Sequence, residues 1–347
     1  MSTSSFRSVA RRPQLSQSFQ RRLPHAHRYH ATRINASSTQ TRAESTVNPD
    51  EIALFSKLSS QWWDEQGECK MLHRMNPVRV QFIREKMLEM QREDTDTDAQ
   101  LDHPKALAGL KILDVGCGGG LLCESLTRLG GLTLGIDASA SNVAIASLHA
   151  AADPGLRLIP GPFVPTTTPA RTSSLTYEHT SAEELLARGG PAQFDVVCSM
   201  EVLEHVDNPR TFLSTCAQLV KPGGHLFLST ISRTPLAYAL TILAAEHVLR
   251  LVTPGTHTYA KYVRPDELLG FFQGFRCPSP GVLGDGGAGR PWISRLYNGA
   301  PARTEAETRG IVYVPWTGAW ALVPRGSPGA RWGEGCNYLL WVRRPLE

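Results

Sequence analysis

Two kinds of apolar run alternate along this chain: short blocks that end at a Gly or an acid, and longer stretches with apolar residues every three or four positions. Ile112, Leu113 and Val115 form the first short block, as a strand buried in a parallel sheet would read. Gly116-Cys117-Gly118-Gly119-Gly120 breaks it, and Leu121, Leu122, Leu126 and Leu129 then recur at helical spacing. The same rhythm predicts strands over Leu132–Ile136, Leu175–Glu178, Phe194–Met200 and His225–Thr230, with helices from Ser141 and over Phe212–Val220 between them. Alternation of this kind implies an α/β fold with a doubly wound, mostly parallel sheet. Ile311–Pro315 and Cys336–Arg343 can close it as an antiparallel pair.

Ahead of the sheet, residues 44–105 read as a helical layer and a linker. Ile52, Leu54, Phe55 and Leu58 form an apolar stripe, and the adjacent Trp62 and Trp63 read as core packing. Asn76-Pro77 suits a helix start, with Arg79 as a surface charge on that helix. Asp94-x-Asp96-x-Asp98 resembles the opening of a calcium loop, but Ala99 replaces the required glycine and Lys105 stands at the twelfth position, so calcium is rejected. Residues 106–347 form the main domain, with insertions expected near 160–174, 281–310 and 323–335. Within it, Leu236–Val252 is long and apolar, yet Glu246, His247 and Arg250 make it too short and too polar to span a bilayer. It reads as a core helix or as an interfacial helix dipping into lipid.

Charge changes the picture at one end. The 347 residues carry a net charge of +4, but residues 1–43 hold eight arginines and no Asp, Glu or Lys. Without that segment the balance is about −4, so the body of the chain is not a basic nucleic-acid binder. Arg and Ser richness without a long apolar run matches a mitochondrial transit peptide over 1–43. The seven cysteines are odd in number and without a CxxC, which suggests a reducing compartment and no disulfide framework.

The glycine run carries the candidate chemistry. A dinucleotide-binding G-x-G-x-x-G fails, because Leu121 occupies the sixth position. An acid two residues before the first glycine, here Asp114, resembles instead the first motif of class I S-adenosylmethionine-dependent methyltransferases. A carboxylate there attracts the ammonium of the cofactor's methionine part and would repel a pyrophosphate. Asp137 ends the next strand, where a carboxylate can accept both ribose hydroxyls, or else cap the following helix. Ser181-Ala182-Glu183 could meet an adenine edge after the third strand. Glu201, Glu204 and His205 follow the fourth strand, where open α/β sheets bind ligands. If that segment is helical, the three share one face and suit Mg²⁺. Helix N-terminal charges and a packed imidazole explain them equally well.

From Glu51 to Phe272 the chain resembles the ubiquinone-biosynthesis O-methyltransferase family, which methylates polyprenyl catechols. The resemblance lies in EIALFSKLSSQWWD, LHRMNPVRV, ILDVGCGGGLLCESL, MEVLEHVDNP, CAQLVKPGG and GTHTYAKYVRPDELL, and continues in GIVYVPWTGAW and CNYLL. It implies a class I methyltransferase fold and S-adenosylmethionine bound at Arg79, Gly116, Asp137 and Met200, to which the glycine-loop reading adds Asp114 and Gly118 as cofactor-binding candidates. It also implies Mg²⁺ at Glu201, Glu204 and His205, where His205 could instead act as general base. The implied substrate is a polyprenyl dihydroxybenzoate or demethylubiquinol, and the implied setting is the matrix side of the mitochondrial inner membrane. There the apolar 236–252 segment would meet lipid, alongside other ubiquinone-biosynthesis proteins. The rival readings are a C- or N-methyltransferase acting on another lipid or small molecule, and a non-catalytic scaffold subunit.

Overall fold

The computed structural model describes residues 45–95, 104–161, 163, 173–277 and 289–346. The expected transit peptide, most of the 160–174 insertion and the start of the 281–310 insertion lie outside the described residues. Two helices come first, α1 (Pro49–Lys57) and α2 (Lys70–Thr95). Then follow β1 (Lys111–Val115), α3 (Leu121–Arg128), β2 (Leu132–Asp137), α4 (Ala140–Ala152), β3 (Ser174–His179) and α5 (Ala182–Gly189). Next are β4 (Phe194–Met200), α6 (Pro209–Leu219), β5 (Val220–Ile231) and α7 (Pro235–Ala237), which runs into a π-helix over Tyr238–Val248. The rest is α8 (Pro265–Gly274), β6 (Leu296–Tyr297), β7 (Ala300–Pro301), β8 (Ala306–Val314), β9 (Ala319–Leu322), α9 (Ala330–Gly333) and β10 (Asn337–Arg343).

Eight strands form one sheet in the order β3-β2-β1-β4-β5-β10-β8-β9. β3 to β5 pair in parallel, whereas β10 runs antiparallel between β5 and β8. The doubly wound, mostly parallel sheet is therefore as expected, and the two closing strands pair with Asn337 opposite Ile311. β9 was not expected. The strand order reverses between β1 and β4, and a crevice opens beyond their carboxyl ends, the ordinary ligand position in such sheets.

The period of two sends alternate strand residues to opposite layers. Leu113, Val197, Leu228 and Leu340 pack with α5, α6 and α8 through Leu185, Phe212, Leu213 and Phe272. Ile112, Val196, Phe227 and Trp341 pack with α2 and α3 through Val78, Phe82, Ile83 and Leu126. Trp292 and Ile293, placed by sequence in an insertion, belong to the first of these cores.

Three expectations need correction. Pro77 lies inside α2 and does not start it. The cost of a missing N–H is met by burial of Met75, Val78, Phe82 and Ile83 on one face and by Asn76 Nδ2, which donates to Leu121 O and Ser125 Oγ on α3. Arg79 on that helix is 5% exposed and is not a surface charge. The 236–252 segment is not a core helix: Leu236, Tyr238, Leu240, Leu243, Val248 and Leu249 are exposed. Among the described residues no helix is long and apolar enough to cross a membrane. All seven cysteines are free.

Candidate active site

A cavity of about 760 Å³ occupies the crevice, lined by the β1–α3 loop, the ends of β2 and β4, α1, α2 and the π-helix. Every residue singled out in the sequence lies on its wall: Arg79, Asp114, Gly116, Gly118, Asp137, Met200, Glu201, Glu204 and His205.

The glycine loop is shaped by what presses on it. Gly118 has φ +53°, and a Cβ there would sit 2.4 Å from the Trp62 ring. Gly120 has φ +88°, and a Cβ would meet Tyr177 Oη at 2.1 Å. Side chains are excluded at both positions by backbone and by space. The tryptophan pair does more than fill a core. Trp62 Nε1 donates to Asn142 Oδ1 at 3.0 Å, and Trp63 Nε1 donates to Gly119 O at 3.0 Å, so the N-terminal layer clamps the loop.

Asp137 ties the loop from the other side. Its carboxylate accepts Gly118 N–H at 2.8 Å, Ser139 N–H at 2.8 Å and Asn142 Nδ2 at 3.3 Å. The cap of α4 is Ser139, not Asp137. Burial raises Asp137 above the ordinary carboxylate range, against the pull of those N–H donors. Asp114 is 2% exposed, and burial pushes it up to about 7, against the Cys123 thiol that donates to it and the charge of Arg79. A cation beside it would restore the carboxylate.

Arg79 is the complementary group. Its Nε and Nη2 are buried with no hydrogen-bond acceptor, and Nη2 stands 3.6 Å from Glu201 Oε1, an ion pair without a hydrogen bond. A guanidinium edge with free hydrogen-bonding capacity beside a buried carboxyl has the chemistry to receive a zwitterionic amino acid, the guanidinium facing a carboxylate and the carboxyl an ammonium. Ser181 caps α5, and Glu183 accepts from Thr46 Oγ1 at 2.7 Å; both line the cavity.

At the far end of β4 the expected single helical face is absent. Glu201 has φ +57°, a left-handed conformation rare for a residue with a Cβ, held by its N–H donating to Ser229 O and Ser229 Oγ. Only Leu203–His205 is helical, as one 3₁₀ turn. Glu204 is 4% exposed and accepts from Thr230 Oγ1 at 2.8 Å; burial and the charge of Glu201 raise it to about 7. His205 shares a 3.1 Å hydrogen bond with Glu51 of α1, whose other oxygen accepts from Lys261 at 3.1 Å. Burial pulls His205 down, but Glu51 and the two neighbouring glutamates carry it above the usual imidazole range.

Among the described residues no three His, Cys, Asp or Glu side chains already converge as metal ligands. The donor set and its charge nevertheless fit a divalent cation. Glu201 Oε1 is buried with no hydrogen-bond donor, and burial together with the charge of Glu201 raises Glu204 above the ordinary carboxylate range. Both are relieved by a nearby dication.

Sequence reasoning missed Glu51, Trp62 and His257 as cavity residues. Glu51 and Trp62 stand on the N-terminal layer, 154 residues from His205 in the first case, so no local pattern announces them.

A profile of the Methyltransferase domain family matches residues 71–275. The mitochondrial ubiquinone biosynthesis O-methyltransferase of Schizosaccharomyces pombe is 38% identical over 302 residues, spanning 87% of this chain and 88% of that one. The ubiquinone biosynthesis O-methyltransferase of Brucella ovis is 42% identical over 230 residues, 66% of this chain and 82% of that one. That of Roseobacter denitrificans is 42% identical over 227 residues, 65% and 80%.

Proposed function

The chain belongs to the ubiquinone biosynthesis O-methyltransferase family and is an S-adenosylmethionine-dependent O-methyltransferase; on that premise we propose how its residues divide the work. Arg79 takes the cofactor's carboxylate and Asp114 its ammonium. Gly116 and Gly118 would let the backbone approach, Asp137 would take the ribose hydroxyls, and Met200, which ends β4 on the cavity wall, would contact the cofactor. The carrying observation is the buried guanidinium of Arg79, whose Nε and Nη2 lack hydrogen-bond acceptors, beside the buried carboxyl of Asp114.

Glu201, Glu204 and His205 would hold Mg²⁺, which when bound supplies Lewis acidity toward a catechol. A phenol ionises near ~10 and is otherwise a poor nucleophile at neutral pH. The chain's own residues orient the reactants: the clamped glycine loop fixes the sulfonium, and the β4 loop fixes the acceptor. Alignment of oxygen, methyl carbon and sulfur contributes much of the rate. The substrate is a polyprenyl catechol of the ubiquinone pathway, either the dihydroxybenzoate or the demethylubiquinol. Its tail lies along Leu236, Leu240 and Leu249, which line the cavity while remaining partly exposed.

Calorimetry tests the cofactor assignments. Arg79→Ala and Asp137→Ala are each expected to weaken S-adenosylmethionine binding about 10- to 100-fold, since a hydrogen bond to a charged group contributes roughly 1.5–3 kcal/mol. Unchanged affinity in folded variants would return Arg79 to a purely structural partner of Glu201 and Asp137 to a loop tie. No binding by the unsubstituted protein would favour the scaffold reading.

The exposed apolar side chains of the 236–252 segment support a peripheral membrane location. The protein is proposed to sit peripherally on the matrix side of the inner membrane, with other proteins of the pathway. Leu240→Ser with Leu243→Ser is expected to lower binding to vesicles of mitochondrial lipid composition several-fold. It should move Tm by no more than a few degrees, because both side chains are already exposed. Unfolding without loss of vesicle binding would contradict this.

A further inference from the structure

The π-helix over Tyr238–Val248 is inside out. Leu240 and Leu243 are 49% and 46% exposed and Val248 is 75% exposed, whereas Glu246 is 1% exposed. A buried carboxylate requires donors, and Glu246 draws all of its own from one short loop. Gly255 N–H donates to Oε2 at 2.7 Å, His257 N–H donates to Oε1 at 2.9 Å, and His257 Nδ1 donates to the same Oε1 at 2.7 Å. With Nδ1–H given to a carboxylate, the lone pair of the neutral ring is on Nε2. Among the described residues Nε2 makes no hydrogen bond, and the ring forms part of the cavity wall.

His257 is also held against rotation. Its ring stands edge-on to Tyr262 at 6.2 Å, and the Tyr262 hydroxyl is bonded to Thr241 Oγ1 of the π-helix at 2.6 Å. Glu201 and His205 are close enough to act on its charge, which puts it at the acceptor end of the cavity. The two histidines there differ in what their Nδ1 meets. Glu51, which binds His205, is shared with Lys261; Glu246 serves His257 and its loop alone.

We propose that His257, oriented by the buried carboxylate of Glu246, is a catalytic residue that takes the proton of the catechol hydroxyl being methylated. This rests on the O-methyltransferase reading and adds a base to it. The phenolic O–H gives its proton to Nε2 as the oxygen's electron pair forms the O–C bond. The C–S bond breaks with its pair remaining on sulfur, which leaves a neutral thioether. The imidazolium then returns its proton to solvent, so each turnover releases one proton and nothing is oxidised or reduced. Burial holds His257 below the ordinary imidazole range, against the upward pull of Glu246, so the neutral ring is the form present near pH 7. The π-helix, often found at functional sites, is what turns Glu246 inward while its apolar neighbours face out.

The test uses the full chain with His257→Ala, His257→Gln and Glu246→Gln, assayed with a short-tailed polyprenyl dihydroxybenzoate. S-adenosylmethionine affinity is expected to stay within about twofold in all three. Turnover should fall roughly 100-fold in both His257 variants and about 10-fold in Glu246→Gln, in line with the usual contribution of a positioned base. KM should change less than kcat. Added imidazole should restore part of the activity of His257→Ala but not of His257→Gln, whose side chain still fills the space. Turnover within about threefold of the unsubstituted enzyme in both His257 variants would overturn the assignment. So would a loss in folded His257→Ala that imidazole does not touch. An unsubstituted protein that binds the cofactor yet methylates no catechol would overturn the underlying reading, and this assignment with it.

Discussion

Removing divalent metal with a chelator is expected to lower turnover by about 1000-fold or more, while S-adenosylmethionine binding stays largely intact. The estimate follows from the several kcal/mol of charge stabilisation that a Lewis-acidic metal provides. Glu201→Ala and Glu204→Ala should reproduce the loss, and excess Mg²⁺ should partly rescue Glu204→Gln. The physical basis is the electrostatics of the β4 loop. Glu201 Oε1 is buried without a donor, and Glu204 is raised to about 7 by burial and its neighbour. Arg79 approaches Glu201 only to 3.6 Å, and Glu204 stays raised despite the Thr230 hydroxyl and His205 beside it. Full activity in chelator, measured by product formation, would remove the metal and leave His205 and His257 to ionise the catechol.

Glu307→Gln is expected to cost about 3–5 kcal/mol of stability, the usual penalty for breaking a buried ion pair from one side. In a chain of this size that corresponds to a fall in Tm of about 5–8 °C. Lys86 on α2 is fully buried; its Nζ lies 2.5 Å from Glu307, 3.1 Å from Glu89 and 4.5 Å from the centre of the Trp341 ring. Glu307 on β8 also accepts from Arg325 at 2.6 and 2.8 Å, so the pair pins the helical layer and the 323–335 insertion to the sheet. Although burial raises Glu307, Arg325 and Lys86 hold it down at about 2, against an ordinary 4.5. Its folded value is depressed, so its contribution is complete above pH 4.5 and is lost as the pH falls from 4.5 toward 2. The stability gap between the native chain and Glu307→Gln, measured by denaturant titration, should therefore narrow over that window. A gap independent of pH would contradict this account.

The parallel half of the sheet was legible because β1, β2 and β4 are covered on both faces and so read as short, mainly apolar runs ending at Val115, Asp137 and Met200. The residues proposed for the cofactor were legible as cavity residues for the same reason, since a strand end followed by glycines or an acid is a local signal. The acceptor side was less so. Glu201, Glu204 and His205 were found as residues, but their expected common helical face was not, because the left-handed backbone at Glu201 is imposed by Ser229 on the neighbouring strand. Pro77 argued locally for a helix start and was overridden by packing of α2 on the sheet. Glu246 was read as a residue too polar for a membrane span. Its burial depends on a π-helical turn and on His257 eleven residues later, and apolar periodicity reports neither. Glu51 and Trp62 reach the site from the N-terminal layer, and only tertiary structure connects them to it.

The central claim is methyl transfer from sulfonium to a catechol oxygen, and one assay tests it most directly. The protein is incubated with methyl-labelled S-adenosylmethionine, Mg²⁺ and a polyprenyl dihydroxybenzoate, and the product is resolved by mass and by the position of the label. The account predicts one labelled methyl per aromatic ring, on a phenolic oxygen, formed with one equivalent of S-adenosylhomocysteine. It also predicts little product from the matching substrate with a single hydroxyl. Label on ring carbon, or cofactor binding with no transfer to the catechol, would contradict it.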